Sequence, residues 1–333
     1  MSESNAAAPA LPEVVQNVVS PATPAIGRVV SSELVTRAGK KSASFVRHVA
    51  IDIGGTPLEG AFRAGQSFGV VPPGEDARGK AHKLRLYSIA SPTAGEDGKG
   101  CVLATTVKRL IDEHDDDHSL LLGVASNYLC DLQPGDEVRV TGPSGKRFLL
   151  PERPLDHRYV FFATGTGVAP FRGMIGDIEV AVDASAPGSV PSGAIAALVM
   201  GVPYQTDLLY DRHFRDLDAE HAWFRYLPAI SRERQDDGAG RLYVQDRIDN
   251  DPASGSSDAL VEMLADPRSL VYVCGIAGME LGIIRKMAEH LPSDVLAQYI
   301  QIDDEVADSP DQWTRRMLNR QIKVTKRMML EVY

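Results

Sequence analysis

Residues 159–170 read YVFFATGTGVAP, and they contain the pattern that decides the fold of the C-terminal half. The first five residues form a short apolar run, which is typical of a parallel strand covered on both faces. Gly165 and Gly167 then let the backbone approach a ligand closely, and the helix predicted after them offers unpaired N–H groups to a phosphate. The stretch therefore predicts a pyrophosphate site of a dinucleotide. A turn that serves packing alone is the alternative, because the spacing is neither GxGxxG nor a Walker P-loop.

Similar apolar runs recur downstream and alternate with helical segments. The predicted strands are residues 159–163, 195–200, 224–230 and 270–274, and the predicted helices are residues 168–180, 208–217 and 278–288. This βαβ alternation predicts an α/β doubly wound parallel sheet.

The pattern upstream has a period of two residues, which indicates half-buried strands. Phe45, Val49, Ile51 and Ile53 alternate with His48, Ala50 and Asp52, and further strand candidates are residues 66–71, 84–90, 102–107 and 137–141. Their even spacing, with turn residues between them, predicts a small antiparallel β-barrel. We therefore expect two domains, a barrel over residues 25–153 and the parallel sheet over residues 154–333. Residues 1–24, rich in Ala, Pro, Ser and Val, are predicted to be a disordered extension.

Composition excludes several classes of partner and site. The net charge of −10 argues against nucleic acid, because affinity for phosphate backbones requires clustered Lys and Arg. No apolar run approaches the roughly 20 residues of a transmembrane helix, so no integral membrane segment is expected. Cys101, Cys130 and Cys274 lack the spacing of a disulfide framework, a metal site or an iron–sulfur site, and they favour a reducing compartment. We expect a monomeric protein of the cytoplasm that binds no metal.

Two further clusters have the chemistry of nucleotide sites. Ser231 and Arg232, with Arg241 and Tyr243 beyond a polar loop, supply two guanidiniums, a hydroxyl and an aromatic ring, which suit the 2′-phosphate and adenine of NADP. Such residues are also common on loop surfaces.

The second cluster lies in the barrel, where residues 85–88 read RLYS. Strand alternation places Arg85 and Tyr87 on one face and Ser88 on the other. An Arg for a phosphate, a Tyr that stacks on a flat ring and a Ser at the ring edge are what a flavin requires. A cross-strand Tyr beside a surface Arg is the alternative interpretation.

Six motifs together carry a family resemblance. They are HKLRLYSIAS at 82–91, GVASNYLCDL at 123–132, TGP at 141–143, ATGTGVAPFR at 163–172, CG at 274–275 with GME at 278–280, and a terminal EVY at 331–333. In order and spacing they resemble plant-type ferredoxin–NADP reductases, from about Gly27 to the last residue. Residues 292–329 form a longer segment than the family leads us to expect.

The resemblance implies FAD and NADP(H) as cofactors and assigns residues to each. It implies FAD contacts for Arg85, Tyr87, Ser88, Val124, Ala125, Ser126, Asn127 and Tyr333. It implies NADP contacts for Lys108, Thr166, Gly167, Ser231, Arg232, Arg241, Tyr243 and Gln245. It also implies a catalytic set of Ser88, Cys274, Glu331 and Tyr333, in which Tyr333 covers one flavin face until nicotinamide displaces it.

The activity that the resemblance implies is hydride transfer between NADP(H) and flavin N5, coupled to one-electron exchange with ferredoxin or flavodoxin. Because the chain has no cysteine set for an iron–sulfur cluster, the one-electron carrier must be a separate protein. Two alternatives remain open at this point: the reductase component of an oxygenase or similar multiprotein system, and a non-catalytic redox-sensing flavoprotein that binds NADPH.

Overall fold

The structure is a computed structural model that describes residues 8–39, 41–186 and 188–333. The described residues form two compact units. The barrel unit comprises Pro12–Leu150 and Ala169–Val180, and the parallel-sheet unit comprises Pro151–Val168, Ala181–Tyr333 and the described residues up to Leu11.

The barrel unit is built on an antiparallel sheet, as the period-two pattern predicts. Its elements are β1 (Ala25–Leu34), β2 (Val46–Asp52), β3 (Ser67–Val70), β4 (Arg85–Ser88), β5 (Val102–Lys108), β6 (Ile111–Glu113), β7 (Leu120–Leu122), α1 (Val124–Asp131) and β8 (Glu137–Ser144). The strand order is β4-β3-β8-β1-β2-β5, and β6 and β7 form a separate hairpin.

A backbone contact joins the two outer strands of this sheet. Ile89, directly after β4, forms an antiparallel bridge with Thr105 of β5, and the N–H of Ala90 donates to the carbonyl of Ala104 at 2.7 Å. The sheet thereby closes on itself around a core that includes Val49, Phe68, Leu103 and Leu129. Closure pairs the two outer strands and so leaves fewer exposed backbone groups at the edges of the sheet.

The structure differs from the predicted disorder at part of residues 1–24. Residues 1–7 lie outside the described residues. Within the rest, the N–H of Asn17 donates to the carbonyl of Pro143 at 2.7 Å, and Val19 pairs with Gly142. Val19 is buried in the barrel core, so a buried side chain and several hydrogen bonds hold a segment whose composition indicated no structure.

Over the described residues, the parallel-sheet unit contains the four predicted strands and the three predicted helices, together with three further strands and two further helices. Its strands are β9 (Arg158–Thr164), β10 (Ala196–Val202), β11 (Phe224–Ile230), β12 (Ser269–Gly275), β13 (Ile300–Ile302), β14 (Ile322–Val324) and β15 (Met328–Val332). Its helices are α3 (Asp211–Glu220), α4 (Leu260–Ala265), α5 (Met279–His290) and α6 (Ser293–Leu296), while α2 (Val168–Asp183) contributes to both units.

The order of the parallel sheet is β11-β10-β9-β12-β15. The chain proceeds from β9 to β10 and β11 on one side and then returns to place β12 on the other side of β9. Ligands of doubly wound sheets bind beyond the carboxyl ends of the strands at such a switch point. The end of β9 and the end of β12 are therefore where a site is expected.

The longer segment at residues 292–329 folds within the parallel-sheet unit. It contains α6, the antiparallel pair β13 and β14, and the start of β15. Trp313, between β13 and β14, is 1% exposed and belongs to the core of the unit. None of the helices in the described ranges has the length and apolar character needed to cross a membrane.

Candidate active site

The turn between β9 and α2 packs against the end of β12. Residues Gly165–Gly167 form one turn of 3₁₀ helix that no side chain caps. A Cβ atom on Gly167 would lie 2.1 Å from the carbonyl oxygen of Cys274, so only glycine fits there. The uncapped first turn and the close approach of backbone to backbone fit a pyrophosphate, which the N–H groups of a helix start can bind.

A second loop, residues 275–278, follows β12 and is held by the first. The Thr164 hydroxyl accepts a hydrogen bond from the N–H of Ile276 at 2.8 Å. Gly275 and Gly278 have φ values of 146° and 108°, which side chains other than hydrogen rarely allow. The carboxylate of Glu280, in the first turn of α5, accepts from the N–H of Gly278 at 2.6 Å.

The last residues of the chain pair with this loop and with β12. Strand β15 is parallel to β12, and the register places Cys274 opposite Glu331. The N–H of Tyr333 donates to the carbonyl of Gly275, and the N–H of Ala277 donates to the carbonyl of Tyr333, each at 3.0 Å. The structure thus brings three of the predicted catalytic residues, Cys274, Glu331 and Tyr333, to the switch point of the sheet.

Burial shifts the pKa values of Glu331 and Cys274. Removal from water raises the pKa of Glu331 to about 7. It also raises the pKa of the Cys274 thiol far above its usual value, and the nearby Glu331 carboxylate raises it further. Cys274 is therefore a neutral thiol at any physiological pH, whereas Glu331 can hold or release a proton near neutrality.

The predicted 2′-phosphate residues lie at the end of β11. The N–H of Ser231 donates to the carbonyl of Val202 at 3.0 Å, and the N–H of Arg232 donates to the carbonyl of Pro203 at 2.9 Å. The guanidinium of Arg232 lies 5.8 Å from the ring centre of Tyr204, within cation–π distance. Tyr204 was not singled out from the sequence, because a lone aromatic on a loop carries no signal.

Arg241, Tyr243 and Gln245 return to the same strand end. Between the first two, Leu242 is buried, and its N–H donates to the carbonyl of Ile230 at 2.9 Å. The buried Leu242 anchors this segment, and Arg241 and Tyr243, on either side of it in sequence, are exposed. Gln245 lies against α5, where a Cβ on Gly282 would be 3.2 Å from the Gln245 side chain.

A buried glutamine that the sequence analysis missed closes this loop. Gln235 is 5% exposed, and its Oε1 accepts from the N–H of Ile230 at 2.9 Å. Its Nε2 donates to the carbonyls of Ile230 and Gly240, at 2.8 and 2.9 Å. The amide therefore ties the end of β11 to Gly240, and it helps to set where Ser231 and Arg241 lie.

In the barrel unit, β4 does not show the burial alternation that the sequence predicted, because its first two residues are exposed and its last two are half-buried. Arg85 is exposed, whereas Tyr87 and Ser88 are half-buried. Tyr87 packs against the barrel core, and burial raises the pKa of its hydroxyl to about 12. The Thr105 hydroxyl donates to the carbonyl of Ser88 at 2.9 Å and so links the end of β4 to β5.

The start of α1 fits a diphosphate through its backbone. No side chain caps this eight-residue helix. The side chains of Ser126 and Asn127 instead donate to the carbonyl of Gly123, at 3.1 and 2.8 Å. Val124 and Ala125 complete the first turn, whose N–H groups point out of the helix start.

Arg109 holds this helix and was not singled out from the sequence. Its Nη1 donates to the Asn127 side chain at 2.8 Å, and its Nη2 pairs with the Asp131 carboxylate. The adjacent Lys108 is the exposed last residue of β5. Lys108 belongs to the barrel unit, unlike the other residues assigned to NADP.

Comparisons with known proteins agree with this arrangement. Residues 161–284 match the family described as the oxidoreductase NAD-binding domain. A ferredoxin–NADP reductase of Spirulina is 39% identical over 275 residues, which cover 82% of this chain and 88% of the relative. The chloroplastic root isozyme of the same enzyme from rice is 38% identical, over 82% of this chain and 71% of the relative.

A solved structure supports the fold. Ferredoxin–NADP+ reductase from Plasmodium falciparum aligns with a TM-score of 0.65 over 95% of this chain and 99% of that chain, at 20% sequence identity. The identity to the curated relatives extends over most of both chains and includes both units. The chain belongs to the ferredoxin–NADP reductase family.

Proposed function

We propose that this chain is an FAD-dependent ferredoxin–NADP reductase, which exchanges hydride with NADP(H) and single electrons with ferredoxin or flavodoxin. The observation that carries the proposal is the meeting of Thr166, Cys274, Glu331 and Tyr333 at the switch point of the parallel sheet. Bound FAD would supply the chemistry that converts one two-electron step into two one-electron steps.

Recognition of NADP(H) is assigned to two places in the parallel-sheet unit. The turn at Gly165–Gly167 presents backbone N–H groups to the pyrophosphate. Arg232 and Arg241, with Ser231, provide guanidiniums and a hydroxyl for the 2′-phosphate, which NAD lacks. The exposed ring of Tyr243 offers a face for adenine, and Gln245 lies two positions further along the chain.

The residues at the end of β12 orient the nicotinamide. Hydride transfer needs two rings held in register and shielded from water, so the protein supplies position rather than covalent chemistry. A neutral Cys274 thiol adds contact without charge. Glu331 can accept a hydrogen bond when ionised and donate one when protonated.

FAD binding is assigned to the barrel unit. Arg85, Tyr87 and Ser88 on β4 meet the needs of phosphate, ring face and ring edge, and the first turn of α1 at Val124–Asn127 suits the diphosphate. The exposed Lys108 adds a cation for the NADP pyrophosphate.

A direct test uses the purified protein. We expect a flavin absorption spectrum, bleaching of the flavin by NADPH in a stopped-flow instrument, and subsequent reduction of ferredoxin or flavodoxin. An oxygenase partner is assayed in parallel. Bleaching with turnover of the oxygenase partner alone would indicate the oxygenase reductase, and NADPH binding without bleaching would indicate a sensor. Size-exclusion chromatography tests the expected monomer.

A further inference from the structure

Residues 303–321, between β13 and β14, are firmly attached to α5. The indole Nε1 of Trp313 donates to the carbonyl of Val306 at 2.8 Å, and Arg285 of α5 donates to the carbonyl of Trp313. The backbone of Asp303 bonds to Gln321 at 2.9 Å and closes the segment at its base. With Trp313 in the core, the turn that follows it has a defined position on α5.

That turn presents Arg315 to the start of α5. The Nε of Arg315 lies 3.1 Å from Oε1 of Glu280. The Glu280 side chain is 3% exposed, whereas that of Arg315 is 57% exposed. A largely exposed guanidinium therefore pairs with a buried carboxylate. Removing the cation would leave a buried carboxylate unpaired, which destabilises the folded state.

The other oxygen of Glu280 fixes the loop after β12. Its Oε2 accepts from the N–H of Gly278 at 2.6 Å. The neighbouring Ala277 donates to the carbonyl of Tyr333, and Gly275 accepts from the N–H of Tyr333. One continuous series of contacts therefore runs from Arg315 through Glu280 and the loop to the last residue of the chain.

We infer that Arg315 is a positioning residue for the nicotinamide end of the site, and that residues 303–321 serve to bring it there. This inference rests on the proposed function. Arg315 acts through Glu280 and the 275–278 loop, which determine where Tyr333 and, beside it in β15, Glu331 lie. The segment thereby tunes the reaction through the loop after β12.

The first test follows backbone hydrogen exchange in protein without nucleotide. In Arg315→Ala we expect exchange at the amides of Ala277, Gly278 and Tyr333 to accelerate by about tenfold or more, because their partners are less firmly held. Amides of β9 and β10 keep their wild-type rates, which shows that the unit is folded. Arg316→Ala is the matched control, because Arg316 is exposed and its substitution removes the same charge one position along the chain.

The second test measures function with NADPH and an artificial acceptor. We expect the rate of flavin reduction in Arg315→Ala to fall about 3- to 10-fold, while the affinity for 2′,5′-ADP, a probe of the adenosine end alone, is unchanged. Arg315→Lys retains a cation and should recover part of the rate. In a double-mutant cycle, Arg315→Ala should add little to the effect of Glu280→Gln.

Either of two results would overturn the inference: equal exchange rates in Arg315→Ala and Arg316→Ala, or loss of 2′,5′-ADP affinity together with the rate. The exchange measurement needs neither cofactor, so it distinguishes failure of this inference from failure of the proposed reductase activity. If Arg315→Ala does not fold, Arg315→Gln, which keeps a long polar side chain but removes the charge, takes its place with Arg316→Gln as its control, and the same faster exchange and slower flavin reduction are expected. Equal exchange rates in these two variants would overturn the inference.

Discussion

The hydroxyl of Tyr333 lies 2.7 Å from the hydroxyl of Thr166, although the two residues are 167 positions apart in the chain. Thr166 lies in the turn assigned to the pyrophosphate, and Tyr333 is the residue expected to give way to nicotinamide. We expect a nucleotide bound at the turn to compete for the Thr166 hydroxyl, which would link the position of the terminal ring to nucleotide binding.

Removing this hydrogen bond should favour NADP+. We expect Tyr333→Phe, which keeps the ring and loses the hydroxyl, to bind NADP+ about 2- to 10-fold more tightly, since a typical net hydrogen bond contributes roughly 0.5–1.5 kcal/mol. Difference-absorption titration measures the dissociation constant. Affinity for 2′,5′-ADP, which lacks the nicotinamide, serves as the control and should not change; unaltered NADP+ affinity would argue against the link.

Glu331 should make stability depend on pH. Its carboxyl titrates near pH 7 in the folded protein and near 4.5 when unfolded, so its contribution is complete below about pH 4.5 and is lost as the pH rises through 7. Relative to Glu331→Gln, the wild type should lose roughly 2–3 kcal/mol of unfolding free energy across this range. Urea denaturation at several pH values measures this difference. Glu305→Gln, at an exposed site, should show no such trend.

Coenzyme preference should depend on two arginines at the end of β11. Arg232→Ala or Arg241→Ala removes a charged hydrogen-bond donor from the 2′-phosphate, and we expect kcat/KM for NADPH to fall about 10- to 100-fold, as charge-assisted bonds contribute roughly 1.5–3 kcal/mol. The value for NADH should change little. Arg234→Ala, exposed in the same loop, is the control. Parallel losses with both coenzymes would refute the assignment.

Gly167 should tolerate no side chain. The added Cβ of Gly167→Ala would lie 2.1 Å from the carbonyl oxygen of Cys274, so the turn and the end of β12 must separate. We expect a loss of about 1–3 kcal/mol in stability, as for overpacked sites, together with weakened NADP+ binding. Gly240→Ala has nothing within 4 Å of the new Cβ and is the matched control. Calorimetry and NADP+ titration of both variants provide the comparison.

Arg109 should affect FAD binding without contacting FAD. Arg109→Ala frees the Asn127 and Asp131 side chains and loosens α1, so we expect FAD to dissociate several-fold more readily. Flavin fluorescence released on dilution measures this. Arg28→Ala breaks an exposed ion pair with Glu137 in the same unit, and such pairs contribute little. Equal flavin release from both variants would contradict the role given to Arg109.

Periodicity was sufficient to predict most elements of both units. Period-two alternation predicted β2 to β5 and β8, and apolar runs followed by helical segments predicted β9 to β12. Among the elements that the prediction missed are β1 and α1. In Ala25–Leu34, polar Ser31 and Ser32 interrupt the alternation, and the register shifts between Val29 and Ser31. Helix α1 is only eight residues long and has no capping side chain that could mark its start.

The motifs of the sequence, by themselves, determined the class of chemistry and the residues to examine, because glycine turns, strand alternation and Arg or Ser clusters are local properties. The tertiary structure alone decided which of them meet. Cys274 faces Glu331 because β15 joins the sheet beside β12, and Tyr333 reaches Thr166 because β12 lies next to β9. Strand order and register arise from packing between distant segments, so no local pattern encodes them. The contact of Arg315 with Glu280 has the same origin, because Trp313 packs into the core of the unit and so places the turn that carries Arg315 against α5.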